Sequence, residues 1–259
     1  MSFHTAAYFQ DTGGAVVNSQ IAALADNVLT IRSASFFLEQ DMQALYFSVY
    51  GTALDAARLD SPTLRDISRP QLAPMGDAVI PPTTGPRVVD WTQRPLAIPA
   101  QEQVALEITD ATAVANNVHG VIGLQERFDP APSGPMTTIL WTAAGPAVAN
   151  AWTSVGALVE ENTLRDGDYA VVGMQAFSTT MIAARLNFQG VNAMAERPGC
   201  IGGAAQDVLT HPMFRNGRLG KWGQFSNVIL PVVEVLCNAA DAAFRILVDV
   251  VQISGSRPR

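Results

Sequence analysis

The run Ala44-Leu-Tyr-Phe-Ser-Val-Tyr-Gly51 decides how this chain is read. In an extended chain Leu45, Phe47 and Val49 fall on one side and Tyr46, Ser48 and Tyr50 on the other, the period-two signature of a buried strand. A similar run, Ala183-Ala-Arg-Leu-Asn-Phe-Gln-Gly190, follows at an offset of 139. In both places the run ends in Gly and a polar, irregular excursion follows. The first excursion is Asp60-Ser-Pro-Thr-Leu-Arg65 through Pro86, and the second is Glu196-Arg-Pro-Gly-Cys200 through Gly223.

The likeness extends outward from these runs. Asn27-Val-Leu recurs as Asn162-Thr-Leu at an offset of 135. Each excursion is followed by two closing strand-like runs. Val104-Ala-Leu-Glu-Ile and Val118-His-Gly-Val-Ile-Gly-Leu-Gln answer to Pro231-Val-Val-Glu-Val and Arg245-Ile-Leu-Val-Asp-Val-Val-Gln. Here the offset is 127, which aligns Glu107 with Glu234. The Pro-rich segment Asp129-Pro-Ala-Pro-Ser-Gly-Pro135 sits at the midpoint, where a junction belongs. The order of events predicts two tandem β-sandwiches, 1–130 and 136–259, with a junction at about 129–135. Further strands are expected at 28–32, 36–38, 88–91, 138–141, 169–177 and 227–236. Helix signals are sparse: Ala53–Leu59 predicts two turns and Ala204–Leu209 one or two.

Composition narrows the function. Among 259 residues, 48% are hydrophobic and only 15% charged, against about 25% in an ordinary soluble domain. So few charges imply that much surface is hidden against other chains. Sixteen Lys+Arg against 23 Asp+Glu give a net charge of −7, which argues against a general nucleic-acid binder, and Lys221 is the sole lysine. The opening residues carry no basic n-region or sustained apolar run, so no secretory signal is expected. Residues 130–159 are uncharged, but Gly145, Pro146, Asn150 and Gly156 interrupt them, so no spanning helix is expected there. Cys200 and Cys237 lack CxxC spacing and read as core thiols, with a disulfide left open.

Catalytic patterns are missing. His4, His119 and His211 have no metal-ligand spacing, no Gly-x-Ser-x-Gly exists, and Gly217–Trp222 fails as a phosphate loop because Trp222 stands where Ser or Thr should be. Asp166 and Asp168, with Glu160 and Glu161 nearby, could offer oxygens to Ca²⁺, but Asp166-Gly167 reads better as a turn. No enzyme, cofactor or metal is expected.

The segment 211–225 mixes Phe214, Trp222 and Phe225 with Arg215, Arg218 and Lys221, the aromatic and arginine enrichment of an interface. Arg65 and Arg69 are the matching candidates in the first excursion. The same mixture could be a stacking platform for single-stranded nucleic acid, or a loop that covers the end of its own sandwich.

Two β-sandwich halves in an acidic, Lys-poor chain, each with a long loop before its closing strands, resemble the double jelly-roll major capsid proteins of small, tailless, membrane-containing bacteriophages. The resemblance is architectural and spans about residues 16–253. It implies an all-β fold of two tandem jelly rolls with few short helices. It also implies trimers that form pseudo-hexagonal capsomers of an icosahedral shell, and a place in the virion. The partners implied are copies of the chain itself, other virion proteins and an internal membrane, with no sequence-specific nucleic-acid binding. The terminal arginines 257 and 259 read as a solvated tail. A competing reading is a carbohydrate-binding or adhesion module, with Trp91, Trp141, Trp152 and Trp222 stacking on sugar rings.

Overall fold

In the computed structural model, residues 3–51, 54–67, 88–110, 115–161, 163–204 and 211–255 are described. The chain is nearly all β. The first half supplies β1 (Phe3–Asp11), β2 (Val16–Ala23), β3 (Thr30–Arg32), β4 (Ser35–Phe37), β5 (Met42–Tyr50), β6 (Leu54–Asp60), the short α1 (Pro62–Ile67), β7 (Val89–Asp90), β8 (Leu96–Ile98), β9 (Gln103–Asp110) and β10 (Asn117–Gln125). The second supplies β11 (Met136–Ala144), β12 (Trp152–Ser154), β13 (Val159–Glu160), β14 (Asp168–Phe177), β15 (Met181–Asn187), β16 (Gly199–Ile201), β17 (Gly223–Ser226), β18 (Val232–Cys237) and β19 (Ala243–Ser254). Among the described residues, no strand of one half pairs with a strand of the other.

The second half is a jelly roll of two facing antiparallel sheets. One has the order β11-β19-β14-β17, with β13 added at its edge, and the other β12-β18-β15-β16. The first half repeats the plan: β1-β10-β5 with β8 beside β5, and β2-β9-β6.

Strand register shows how closely the halves correspond. Met42↔Ile98, Gln43↔Ala97 and Ala44↔Leu96 become Tyr169↔Phe225, Ala170↔Gln224 and Val171↔Gly223, each residue displaced by 127. Irregularities repeat as well. The β6–β9 ladder skips Asp55 and the β15–β18 ladder skips Ile182. The β10–β5 ladder skips Leu45 and the β14–β19 ladder skips Val172. A β-bulge re-aims every residue beyond it, so its recurrence marks the same structural device in both halves.

This register corrects two expectations. The counterpart of the strand ending at Gly51 is β14, not 183–190, because only the shift of 127 preserves the ladder. The bulge also moves Leu45 out of line with Phe47 and Val49: it packs with Tyr46, while Phe47 and Val49 enter the first core. Ala53–Leu59, expected as helix, holds β6 instead. Ala57 and Leu59 point into the core, Arg58 points out, and β9 supplies a complete ladder partner, which outweighs the helical preference of alanine. The expected helix at 204–209 beyond its first residue, most of the first excursion and residues 257 and 259 lie outside the described residues. Cys200 and Cys237 are free, buried thiols.

Candidate functional site

The alternation of β5 sends Tyr46 and Tyr50 outward from the first jelly roll, yet neither is exposed. With Phe3, Ala7, Leu45 and Val121 they join the hydrophobic core of the second half. The outer face of β1, β5 and β10 is therefore a buried seam. Phe3 meets the Trp222 ring edge-on at 5.2 Å between centroids, and Tyr46 meets Phe214 edge-on at 5.0 Å. Gly123 lies across the ladder from Tyr46, where an added Cβ would sit 2.1 Å from the Tyr46 ring, so any larger residue would displace that ring.

At one end of the seam lies a buried network of charges from both halves. Arg185, on β15, is 1% exposed by side chain. Its Nε donates to Glu234 Oε2 at 2.7 Å, and its Nη1 to Asp26 Oδ2 at 2.6 Å and the Thr5 carbonyl at 3.2 Å. The guanidinium lies 4.1 Å over the Trp152 ring, a cation–π contact shielded from water. His4 Nδ1 accepts the Arg197 backbone N–H at 3.0 Å, so its proton sits on Nε2, 3.1 Å from Asp26. The Thr5 N–H donates to the Arg197 carbonyl at 2.8 Å.

Burial raises the Asp26 carboxyl, but His4 and Arg185 outweigh it and hold the group well below the usual carboxylate range. Burial lowers His4, against the pull of Asp26. A third cross-seam contact pairs His119 Nε2 with Asn150 Oδ1 at 2.7 Å, and burial lowers His119 to about 4. A buried ionic network sets geometry more than it adds net stability, because desolvation offsets much of the attraction. Here it fixes how the second roll sits on the first.

The segment 211–222 crosses the outer face of β14 at Gly173, whose missing side chain leaves room for the Phe214 carbonyl and the Arg215 backbone. Arg215 clamps Asp249 through two contacts, Nε at 2.6 Å and Nη2 at 2.7 Å, and reaches Gln175 at 2.7 Å. Burial raises Asp249, but Arg215 and Thr138 dominate and hold its carboxyl low.

The sequence-predicted interface residues divide sharply. Phe214, Trp222 and Phe225 are buried in the chain's own core, so they neither face a partner nor offer a stacking platform for bases. Arg215 is committed within the chain, and Arg218 is exposed. Arg65 falls in α1, and Arg69 lies outside the described residues. Asp166 and Asp168 accept hydrogen bonds from Asn227 and Ser254. The uncharged stretch 130–159 is only partly buried: β11 sends Trp141 into the core, while Val148 and Val159 are about 60% exposed.

Sequence reading missed His4, Asp26, Arg185 and Arg197. A signal existed for Arg185, since Arg58…Glu107 and Arg185…Glu234 share the same separation of 49 and the same offset of 127.

No family model matches this sequence, and no curated protein matches it. Among solved structures, the chain is similar over 96% of its length to the major capsid protein P2 of bacteriophage PM2, covering 98% of that chain at 11% identity with a TM-score of 0.22.

Proposed function

We propose that this chain is a viral coat protein that builds an icosahedral shell from copies of itself, in trimers of six jelly rolls each. The observation that carries the reading is the seam. Two like jelly rolls are locked side by side by interlocking aromatics and a buried ionic network, so the chain is a rigid double block. Three such blocks arranged head to tail make a ring of six similar units, which tiles a closed surface. A charge fraction of 15% and exposed Val148 and Val159 suit a block surrounded by its own copies. In this reading the protein resides in the virion, has no catalytic role and needs no cofactor. Its partners are its own copies, other virion proteins and an internal membrane.

The sugar-stacking alternative loses most of its platform. Trp141 and Trp222 are fully buried and the Trp152 ring is covered by Arg185.

Native mass spectrometry and negative-stain imaging of the purified protein test the proposal. Trimers or closed particles of uniform size are the expected result. A monomer at every concentration overturns it.

A further inference from the structure

The seam joins two different faces. The second roll contributes the outer face of β15, β18 and β12, centred on Arg185 and Glu234, together with Phe214 and Trp222 of segment 211–222. The first roll contributes the outer face of β1, β5 and β10, with Asp26 beside it. Because the rolls repeat, each also carries the face that its partner uses.

On the first roll, Arg58 stands opposite Glu107 in the β6–β9 ladder, as Arg185 stands opposite Glu234. Arg58 Nε donates to Glu107 Oε2 at 2.5 Å. Gln20 lies across from Glu107 as Ser154 lies across from Glu234. The two pairs differ in surroundings: the Arg58 side chain is 32% exposed and Arg185 is 1%. Beside Arg58 runs a polar groove of about 510 Å³, lined by Gln20, Asp60, Gln103 and Ala105.

On the second roll, the counterpart of Phe3 is Met136. Phe3 pairs with Gln125 at the end of β10, and Met136 pairs with Val251 in the corresponding β19. Phe3 is fully buried in the seam, whereas Met136 is 41% exposed. The bond from Leu24 N to Ala7 O recurs from Glu161 N to Leu140 O, both at the edge of the seam-type face. Glu161 therefore occupies the place of Leu24, two residues before Asp26, and it is exposed.

The chain thus leaves open the Arg58 face of its first roll and, on its second, the β11–β13 side of the seam-type face, whose β14 side its own segment 211–222 covers. We infer that the partner for the Arg58 face is the β11–β13 face of a second copy of this chain, with Arg58 of one copy pairing with Glu161 of the next. A contact between two different faces is heterologous: it propagates head to tail and closes into a ring when the rotation permits. The inference rests on the coat-protein reading and names the surface through which copies meet.

Three full-length variants test it: Arg58→Glu, Glu161→Arg and the double charge swap. Each is followed by thermal melting and by sedimentation or mass photometry across a concentration series. The expected result is wild-type melting for Glu161→Arg, association weakened about tenfold or more in each single variant, and recovery of most of it in the double variant. Should Arg58→Glu melt early through its strain on Glu107, the exposed Glu161 position still carries the test. Wild-type association by folded single variants, or no recovery in the double variant, overturns the pairing and leaves the coat-protein reading standing. A wild-type chain that never associates overturns both.

Discussion

Arg185 and Glu234 face each other across β15 and β18 at 2.7 Å in full burial, while their counterparts Arg58 and Glu107 make the same contact near solvent. One sequence device thus operates in two dielectric environments. Replacing Arg185 with Met leaves Asp26 and Glu234 buried with only His4 and Arg197 beside them, which costs about 3–5 kcal/mol. Replacing Arg58 with Met should cost less, because its side chain is partly hydrated although Glu107 is buried. Urea unfolding midpoints compare the two. Equal losses would mean that burial is not what separates the pairs.

Acid is expected to loosen the seam. His4 and His119 are neutral when folded, and both are lowered by burial from an unfolded value near 6.5, His119 to about 4. The unfolded chain therefore binds more protons in this window, so stability is full above pH 6.5 and falls as pH drops toward 4. The His119 share is on the order of 3 kcal/mol. Asp26 and Asp249, held low in the folded state, lose their contribution only below their ordinary value of 3.8. Melting temperatures measured from pH 7 to pH 4 should decline, and His119→Gln should flatten the profile. A wild-type profile flat down to pH 4 would contradict this assignment.

Gly123→Ala drives a methyl group against the Tyr46 ring on the crowded side of the seam. Overpacking of this kind costs about 1–3 kcal/mol. Adding Tyr46→Ala should remove the clash, so the double variant should be less destabilised than the sum of the two singles. Strict additivity in denaturant unfolding would show that the two positions do not meet.

Trp222 and Arg218 lie in one loop and are expected to behave oppositely. Trp222→Ala empties a core position against Phe3 and should cost about 3–5 kcal/mol. Arg218→Ala, at an exposed position, should stay within about 0.5 kcal/mol of wild type. A core role and a surface role are separated by the melting temperatures alone.

Most of the strands were legible as short apolar runs bounded by Gly, Asn and Asp. Val118–Gln125 and Tyr169–Phe177, buried on both faces, are cases in point. Short strands such as Trp152–Ser154 and Gly199–Ile201 left no such trace, since three residues are too few to make such a run. The Ala-rich β6 misled because alanine's local preference is weaker than a ladder partner supplied by β9. The 127-residue spacing was visible at Glu107 and Glu234. Its reach to β5 and β14 was hidden, because identity there had vanished while register and bulges persisted.

The sequence by itself determined an all-β chain, the repetition of its closing strands and a surface short of charge. Those follow from local patterning and composition. Only the tertiary structure decided that Tyr46 and Trp222 belong to a seam, and that Arg185 is buried while Arg58 is not. Both arginines occupy the same place in the same ladder. Their difference comes from what lies above the sheet, and that is settled by contacts between residues more than a hundred positions apart.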